Sequence, residues 1–212
     1  MSLEASLREE IVELGRLLTH LGLSHGSTGN ISARLDDGWL LTPTNSRLGR
    51  LDPARIAKLD DDGRHIGGDK PSKEAFLHQC VYEKRAGAGA IVHLHSTHSV
   101  AVSCIDGLDQ EDCLPPLTAY YVMRVGKLPI VPYFPPGDEG LARAVSKVAA
   151  DHASVLLANH GPVVAGKTLE SAASAIEELE ATAKLFLLLK DHETKPLSPA
   201  EVEELNRRFP KE

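Results

Sequence analysis

Cysteine is scarce in this chain. Only Cys80, Cys104 and Cys113 occur in 212 residues, an odd number with no Cys-x-x-Cys pair. The pattern argues against a disulfide framework and fits reduced thiols in the cytoplasm, with a Cys104–Cys113 disulfide as the less favoured alternative. Positive charge is also in deficit. Lys and Arg total 23 against 30 Asp and Glu, a formal net charge of −7. Non-specific nucleic-acid binding needs a basic surface, so it is excluded, although a local basic pocket for an anionic metabolite is not. Long apolar runs are missing. The longest, such as 183–189, is broken by lysine and too short to span a bilayer. Residues 1–5 lack a basic segment leading into an apolar core, so no signal peptide is expected. Neither Gly-x-x-x-x-Gly-Lys-Ser/Thr nor Gly-x-Gly-x-x-Gly occurs, which excludes the usual nucleotide phosphate loops. Without repeats, low-complexity segments or linkers, residues 1–212 read as one domain.

What is present is ordinary for a globular protein: 42% hydrophobic and 25% charged residues, with enough length for a full core. Leu7, Ile11, Leu14, Leu17, Leu18 and Leu21 recur at helical spacing, predicting an amphipathic helix over 3–21 closed by Gly22. Residues 31–35 and 39–42 alternate around Asp36-Asp37-Gly38 and predict a hairpin. A short helix from Asp52-Pro53 and short strands at 57–59 and 65–66 follow. Next come a helix over 74–85 with Ser72 as its cap, a strand over 90–95 and a helix over 97–105. Segment 117–125 has mixed character. Residues 130–133 suit a sheet edge, 140–152 and 169–191 helices, 154–158 a buried strand, 163–166 its return, and 198–209 a last short helix.

The chemistry gathers at Ala90-Ile91-Val92-His93-Leu94-His95. Side chains at i and i+2 share one face of a strand, so His93 and His95 project together as a pair suited to a metal. Two hydrogen-bonded histidines at a strand end are the plain alternative. His160 also ends a buried strand, before Gly161. Three histidines at strand ends would leave a zinc with positions open for substrate, the pattern of a catalytic site. His160 alone reads as readily as a turn residue. His98 reads as a supporting or structural residue. Glu74, opening a helix, suits a fourth ligand or a general acid/base, or simply a solvated carboxylate at a helix N-terminus. Thr28-Gly29-Asn30, Thr44-Asn45-Ser46 and Ser72-Lys73 offer hydroxyls, amides and backbone N–H groups of the kind that bind phosphate, and equally the composition of ordinary turns.

Taken in order, Thr28-Gly29-Asn30-Ile31-Ser32, Leu41-Thr42-Pro43-Thr44, Lys70-Pro71-Ser72-Lys73-Glu74, His93-Leu94-His95 and Asn159-His160-Gly161 resemble the class II aldolase/adducin family over almost the whole chain. The resemblance implies an α/β fold of three layers, α/β/α, around a central, largely antiparallel sheet, assembled as a homotetramer with active sites at subunit interfaces. It implies one Zn2+ per subunit on His93, His95 and His160, with Glu74 as acid/base and resting ligand. Phosphate-binding positions would be Gly29, Asn30, Thr44, Asn45, Ser72 and Lys73. A tyrosine from the neighbouring subunit, Tyr121 before Tyr120, would donate a proton.

Within the family, segments 26–34, 43–49, 68–75 and 93–99 look most like the 3-oxo-tetronate 4-phosphate decarboxylase branch. Lys73 stands where the aldolases carry a small hydroxyl residue, and Asn45 where they carry glycine. A cation beside Glu74 suits a substrate bearing a carboxylate as well as a phosphate. The branch implies zinc-dependent decarboxylation to dihydroxyacetone phosphate and carbon dioxide through an enediolate held by the metal, in catabolism of four-carbon acid sugars. A sugar-phosphate aldolase or epimerase is the alternative, and a non-catalytic adducin-like interaction domain the remote one.

Overall fold

The computed structural model describes residues 2–135 and 138–210. Helix α1 (Leu3–His20) starts where the Ser2 hydroxyl accepts the Ala5 N–H, and it buries Ile11, Val12, Leu14 and Leu18. The hairpin forms as β1 (Asn30–Leu35) and β2 (Gly38–Leu41). After two short 3-10 turns come β3 (Ala57–Leu59), β4 (His65–Gly67), α2 (Ala75–Lys84), β5 (Ala90–His93) and α3 (Thr97–Ser103). The mixed segment 117–125 resolves into α4 (Ala119–Arg124), capped by the Thr118 hydroxyl. Then follow β6 (Ile130–Val131), α5 (Glu139–Ala149), β7 (Ser154–Leu157), β8 (Gly161–Gly166), α6 (Leu169–Leu188) and α7 (Pro199–Arg208).

The eight strands form one sheet in the order β4-β3-β2-β1-β5-β8-β7-β6. Among the described residues only the edge pair β6–β7 is parallel. Strand alternation splits the core in two. Ile31, Ala33, Ala90, Val92 and Val164 face α1, α3, α4 and α6. Trp39, Leu41, Ile91, Val155, Val163 and Ala165 face α2 and α5. Both strand faces are apolar because both are covered by helices. The three-layer α/β architecture with a largely antiparallel sheet is therefore as expected.

Three local expectations change. β5 ends at His93 rather than His95. Its ladder partner there is Val163, and the preceding residue on β8, Pro162, has no N–H to donate, so only the Leu94 N–H continues the ladder, to the Pro162 oxygen. β8 begins at Gly161, two residues before the expected start. The N-cap of α2 is Glu74, not Ser72, and its side chain makes no cap hydrogen bond. A helix start without side-chain capping gives up about 1 kcal/mol. Here that carboxylate is turned to a different use.

Candidate metal centre

Four side chains converge at the end of β5. The Nε2 atoms of His93 and His95 lie 3.2 Å apart, and those of His95 and His160 3.1 Å apart. Glu74 brings Oε1 within 3.1 Å of His160 Nε2 and Oε2 within 3.6 Å of His93 Nε2. One ligand atom from each of the four lies within 4.8 Å of all the others. Each element delivers its residue for a legible reason. His93 is the last residue of β5, and His95 comes round beside it on the chain leading into α3. His160 sits in the β7–β8 turn, where Asn159 has φ 56° and Gly161 φ 150°. A Cβ on Gly161 would stand 2.3 Å from the Leu94 carbonyl oxygen, and one on Gly29, φ 79°, 2.9 Å from that of His93. The two glycines let the neighbouring strands close on the β5 terminus.

The protonation states suit a cation. His93 donates its Nδ1 proton to the Pro162 carbonyl at 2.8 Å, which leaves a neutral ring with a bare Nε2 turned into the cluster. Burial drives the His93 pKa down and pushes that of His95 down to about 3. Burial works to raise the Glu74 pKa, but the facing His93, the hydrogen bond with His160 and the Asn30 amide outweigh it and hold the carboxyl well below its usual range. Imidazole lone pairs and a carboxylate at these separations repel unless they share a cation. Three nitrogens and one oxygen are a donor set that fits a divalent metal such as zinc.

The cluster opens on a cavity of ≈ 560 Å³. Glu74, His95, His160 and Asn159 line it together with the apolar Phe76, Val100, Phe134 and Leu141. His25, which sequence reasoning left in a loop, also lines this cavity, as does the exposed Tyr133.

The expected phosphate positions divide. Ser72 and Asn30 lie beside Glu74: Asn30 Nδ2 donates to Glu74 Oε2 at 2.6 Å and to Ser72 Oγ at 3.3 Å. Asn30 is only 2% exposed, and its side-chain amide is already committed to Glu74 and Ser72. Lys73 is exposed next to Glu74. Thr44 and Asn45 instead line a second cavity, of ≈ 320 Å³, with Arg47, Arg50, Arg55 and Lys70. Two of the backbone N–H groups expected to be open are in use, Thr44 N–H to the Lys70 oxygen and Ser72 N–H to the Thr42 oxygen. That pairing fastens the two loops together.

Tyr121 needs correction. It is 1% exposed, sunk in the core of its own chain among α4 and α6 residues, with a hydroxyl that finds no partner among the described residues. Burial raises its pKa. A side chain so placed cannot cross to a neighbouring subunit. Tyr120, 60% exposed on the same helix, can.

Sequence reasoning missed His78, Ser32 and Tyr82. His78 Nε2 meets Asn30 Oδ1; His78 Nδ1 lies 2.7 Å from Ser32 Oγ, and Ser32 Oγ 2.8 Å from the Tyr82 hydroxyl. Burial pushes the His78 pKa down to about 3. The signal was spacing. Glu74, His78 and Tyr82 lie at i, i+4 and i+8 of one helix face, and Asn30 and Ser32 at i and i+2 of one strand face.

Comparison with known proteins establishes the family and the fold. The family described as Class II Aldolase and Adducin N-terminal domain matches residues 9–187. A 3-oxo-tetronate 4-phosphate decarboxylase of Cupriavidus necator is 51% identical over 191 residues, 90% of this chain and 88% of that protein. An L-fuculose phosphate aldolase of Escherichia coli K12 is 32% identical over 183 residues, 85% of this chain and 82% of that protein. The crystal structure of YgbL from Escherichia coli superposes with a TM-score of 0.94 at 46% identity, covering 96% of this chain and 99% of that one. A match over most of the length, on a shared fold, means that the chain belongs to the class II aldolase and adducin family.

Proposed function

We propose that the chain is a metal-dependent carboxy-lyase converting 3-oxo-tetronate 4-phosphate to dihydroxyacetone phosphate and carbon dioxide. The observation that carries this reading is the 51% identity to a decarboxylase of that name, together with an intact four-residue metal cluster. Residues 1–212 would work as one class II aldolase-type domain in the cytoplasm, where the free Cys80, Cys104 and Cys113 are at home. No helix among the described residues is long and apolar enough to cross a membrane.

His93, His95, His160 and Glu74 would hold a divalent metal, zinc in this reading. Bound there, it would supply Lewis acidity to the substrate's C3 carbonyl and C2 hydroxyl oxygens. The chain's own residues do the rest. Gly29 and Ser72 would provide the phosphate end of the pocket, with Asn30 supporting it through Ser72; Thr44 and Asn45, in the second cavity, would contribute only across the loop pairing that fastens their loop to Ser72. Lys73, exposed next to Glu74, would offer a cation to the substrate carboxylate. As the C1–C2 bond breaks, carbon dioxide leaves and the electron pair passes toward the C3 carbonyl. The apolar side chains of Phe76, Phe134 and Leu141 lining the cavity would lower the polarity around that charge. Glu74 is held as a carboxylate, so it acts by orienting a water that delivers the proton to C2. In a homotetramer with interfacial sites, the exposed Tyr120 of a neighbouring subunit would be the residue to assist.

The purified protein, loaded with zinc, is offered 3-oxo-tetronate 4-phosphate and, separately, dihydroxyacetone phosphate with an aldehyde. Carbon dioxide release in the first arm is the expected result. Condensation in the second arm alone would assign it to the aldolases, and a protein inert in both and unable to hold metal would read as an adducin-like interaction domain.

A further inference from the structure

A line of buried polar side chains runs from the metal cluster into the apolar core between the sheet and α2. It passes from Glu74 to Asn30, His78, Ser32 and Tyr82. Its donors and acceptors can be ordered in only one sense. The Glu74 carboxylate only accepts, so Asn30 must face it with the amide nitrogen and turn Oδ1 to His78. Oδ1 only accepts, so His78 must carry its proton on Nε2. The ring is wholly buried and neutral, so Nδ1 is bare and accepts from Ser32. The one Ser32 proton is then used, and Ser32 accepts from Tyr82. The charge on Glu74 thus sets the direction of every bond along the line.

The surroundings hold these groups in register. Trp39 stacks on the His78 ring, 6° from parallel with centroids 6.4 Å apart. The Arg34 guanidinium lies over the Tyr82 ring at 4.4 Å and bonds the Tyr82 carbonyl. Asn30 and Ser32 are on one face of β1, and His78 and Tyr82 on one face of α2, so the line crosses from strand to helix twice. A core needing only volume at position 78 would be filled by leucine without any polar obligation.

We propose that His78 is a positioning residue: through Asn30, the line from Tyr82 and Ser32 fixes the orientation of the Glu74 carboxylate at the metal cluster. Without it, Asn30 is free to rotate its amide, and Glu74 loses the donor that orients Oε2. The kinetic part of this inference rests on the decarboxylase reading; the hydrogen-bond sense does not.

Two measurements test it. In the zinc-loaded protein at neutral pH, histidine-selective 15N NMR, with His78 assigned by its absence in His78→Gln, should show a neutral ring protonated on Nε2 with a bare Nδ1. A ring protonated on Nδ1, or on both nitrogens, overturns the proposal whether or not the substrate is turned over. In steady-state kinetics, His78→Leu should keep its metal and lose about 10- to 100-fold in kcat, with KM within about threefold. His78→Gln, whose side-chain nitrogen can still donate to Asn30, should recover to within about threefold of the parent. Equal loss in both variants, or no loss in His78→Leu, would mean that the histidine is structural filling. Should His78→Leu fail to fold, Tyr82→Phe replaces it: it removes the last donor and should lower kcat with KM unchanged, and an unchanged kcat overturns the proposal. If the parent releases no carbon dioxide, the substrate reading fails and the tautomer alone decides.

Discussion

His93 donates its Nδ1 proton to the carbonyl oxygen of Pro162, 2.8 Å away and two residues past His160. One hydrogen bond therefore sets the His93 tautomer and ties β5 to the strand that follows the third histidine. The ligands are held by backbone that is already paired, so the site should be formed before metal arrives. Chelation of the purified protein should abolish activity while leaving circular dichroism unchanged, and added zinc should restore it. His95→Ala should lose metal affinity by 10-fold or more, on the order of a ligand's contribution. Metal analysis checks it; a metal-free protein at full rate would remove the cluster from the reaction.

Glu74→Gln separates ligation from proton handling. The substitution preserves shape, and the Gln oxygen can still accept from Asn30, while its NH2 replaces the carboxylate oxygen that faces His160. Substrate binding should survive, and kcat should fall about 10²- to 10⁴-fold, the usual reach of a general acid/base group. Steady-state kinetics with the metal content measured alongside distinguishes this from simple metal loss. Unimpaired turnover would strip Glu74 of the role.

Acid should destabilise the metal-free protein well above the range where carboxylates titrate. Burial is the main cause that holds His78 and His95 down to about 3. The unfolded chain binds these protons near pH 6.5, and the folded one does not until near 3. The stability they confer is thus complete above 6.5 and is lost as pH falls. Between pH 6 and 4 the loss should be about 1.4 kcal/mol per pH unit per histidine. Glu74, whose folded pKa is also depressed, adds a further loss below about 4.5. Urea unfolding across this range checks the slope, which should flatten by one histidine's share in His78→Gln.

The residues that converge in the candidate metal cluster were legible because each announces itself locally. His93 and His95 need only the period of a strand, and His160 only the end of an apolar run. The His78 line was written in equally regular spacing, yet it joins two elements whose facing depends on how α2 lies over β1. Periodicity fixes which residues share a face, not which face meets which. The same limit explains Tyr120 and Tyr121. On the six-residue α4, packed against α6 and α7, a single step of helical phase decides which tyrosine is buried, and so short a segment carries no phase of its own. The expected cap at Ser72 failed for another reason. Its hydroxyl accepts the Glu74 N–H at 3.3 Å, which tightens the turn before α2. The cap position itself falls to Glu74, whose side chain belongs to the metal cluster.

Glu180 is the far support of the cluster. This buried α6 carboxylate accepts the His98 N–H at 2.8 Å, the Ser99 N–H at 2.9 Å and the Ser99 hydroxyl at 2.6 Å, capping α3 from another helix. Burial opposes its ionisation, and these donors more than offset it, so its pKa is lowered. His95 lies just before α3, and the other end of α3 receives the Asn159 N–H from the His160 turn. Glu180→Gln would set an amide donor against the donors it faces. About 2 kcal/mol of stability should be lost, along with some metal affinity. Denaturant titration and zinc competition measure the two; unchanged zinc affinity would confine Glu180 to a purely local cap.

Tyr121 and Tyr120 give opposite expectations. The Tyr121 hydroxyl is buried without a partner among the described residues, a state that costs free energy in the folded protein and nothing in the unfolded one. Tyr121→Phe removes that liability while keeping the ring that packs in the core. It should leave kcat unchanged and alter stability by no more than about 1 kcal/mol, with stabilisation the expected sign. Tyr120→Phe removes an exposed hydroxyl and should leave stability alone. If Tyr120 enters a neighbouring subunit's cavity, its loss lowers kcat in the assembled protein. Mixing Tyr120→Phe subunits with Glu74→Gln subunits should then regain activity, because mixed assemblies contain sites with both residues intact. No recovery on mixing would remove Tyr120 from the neighbouring site, and a fall in kcat for Tyr121→Phe would show that the buried ring does more than pack in the core.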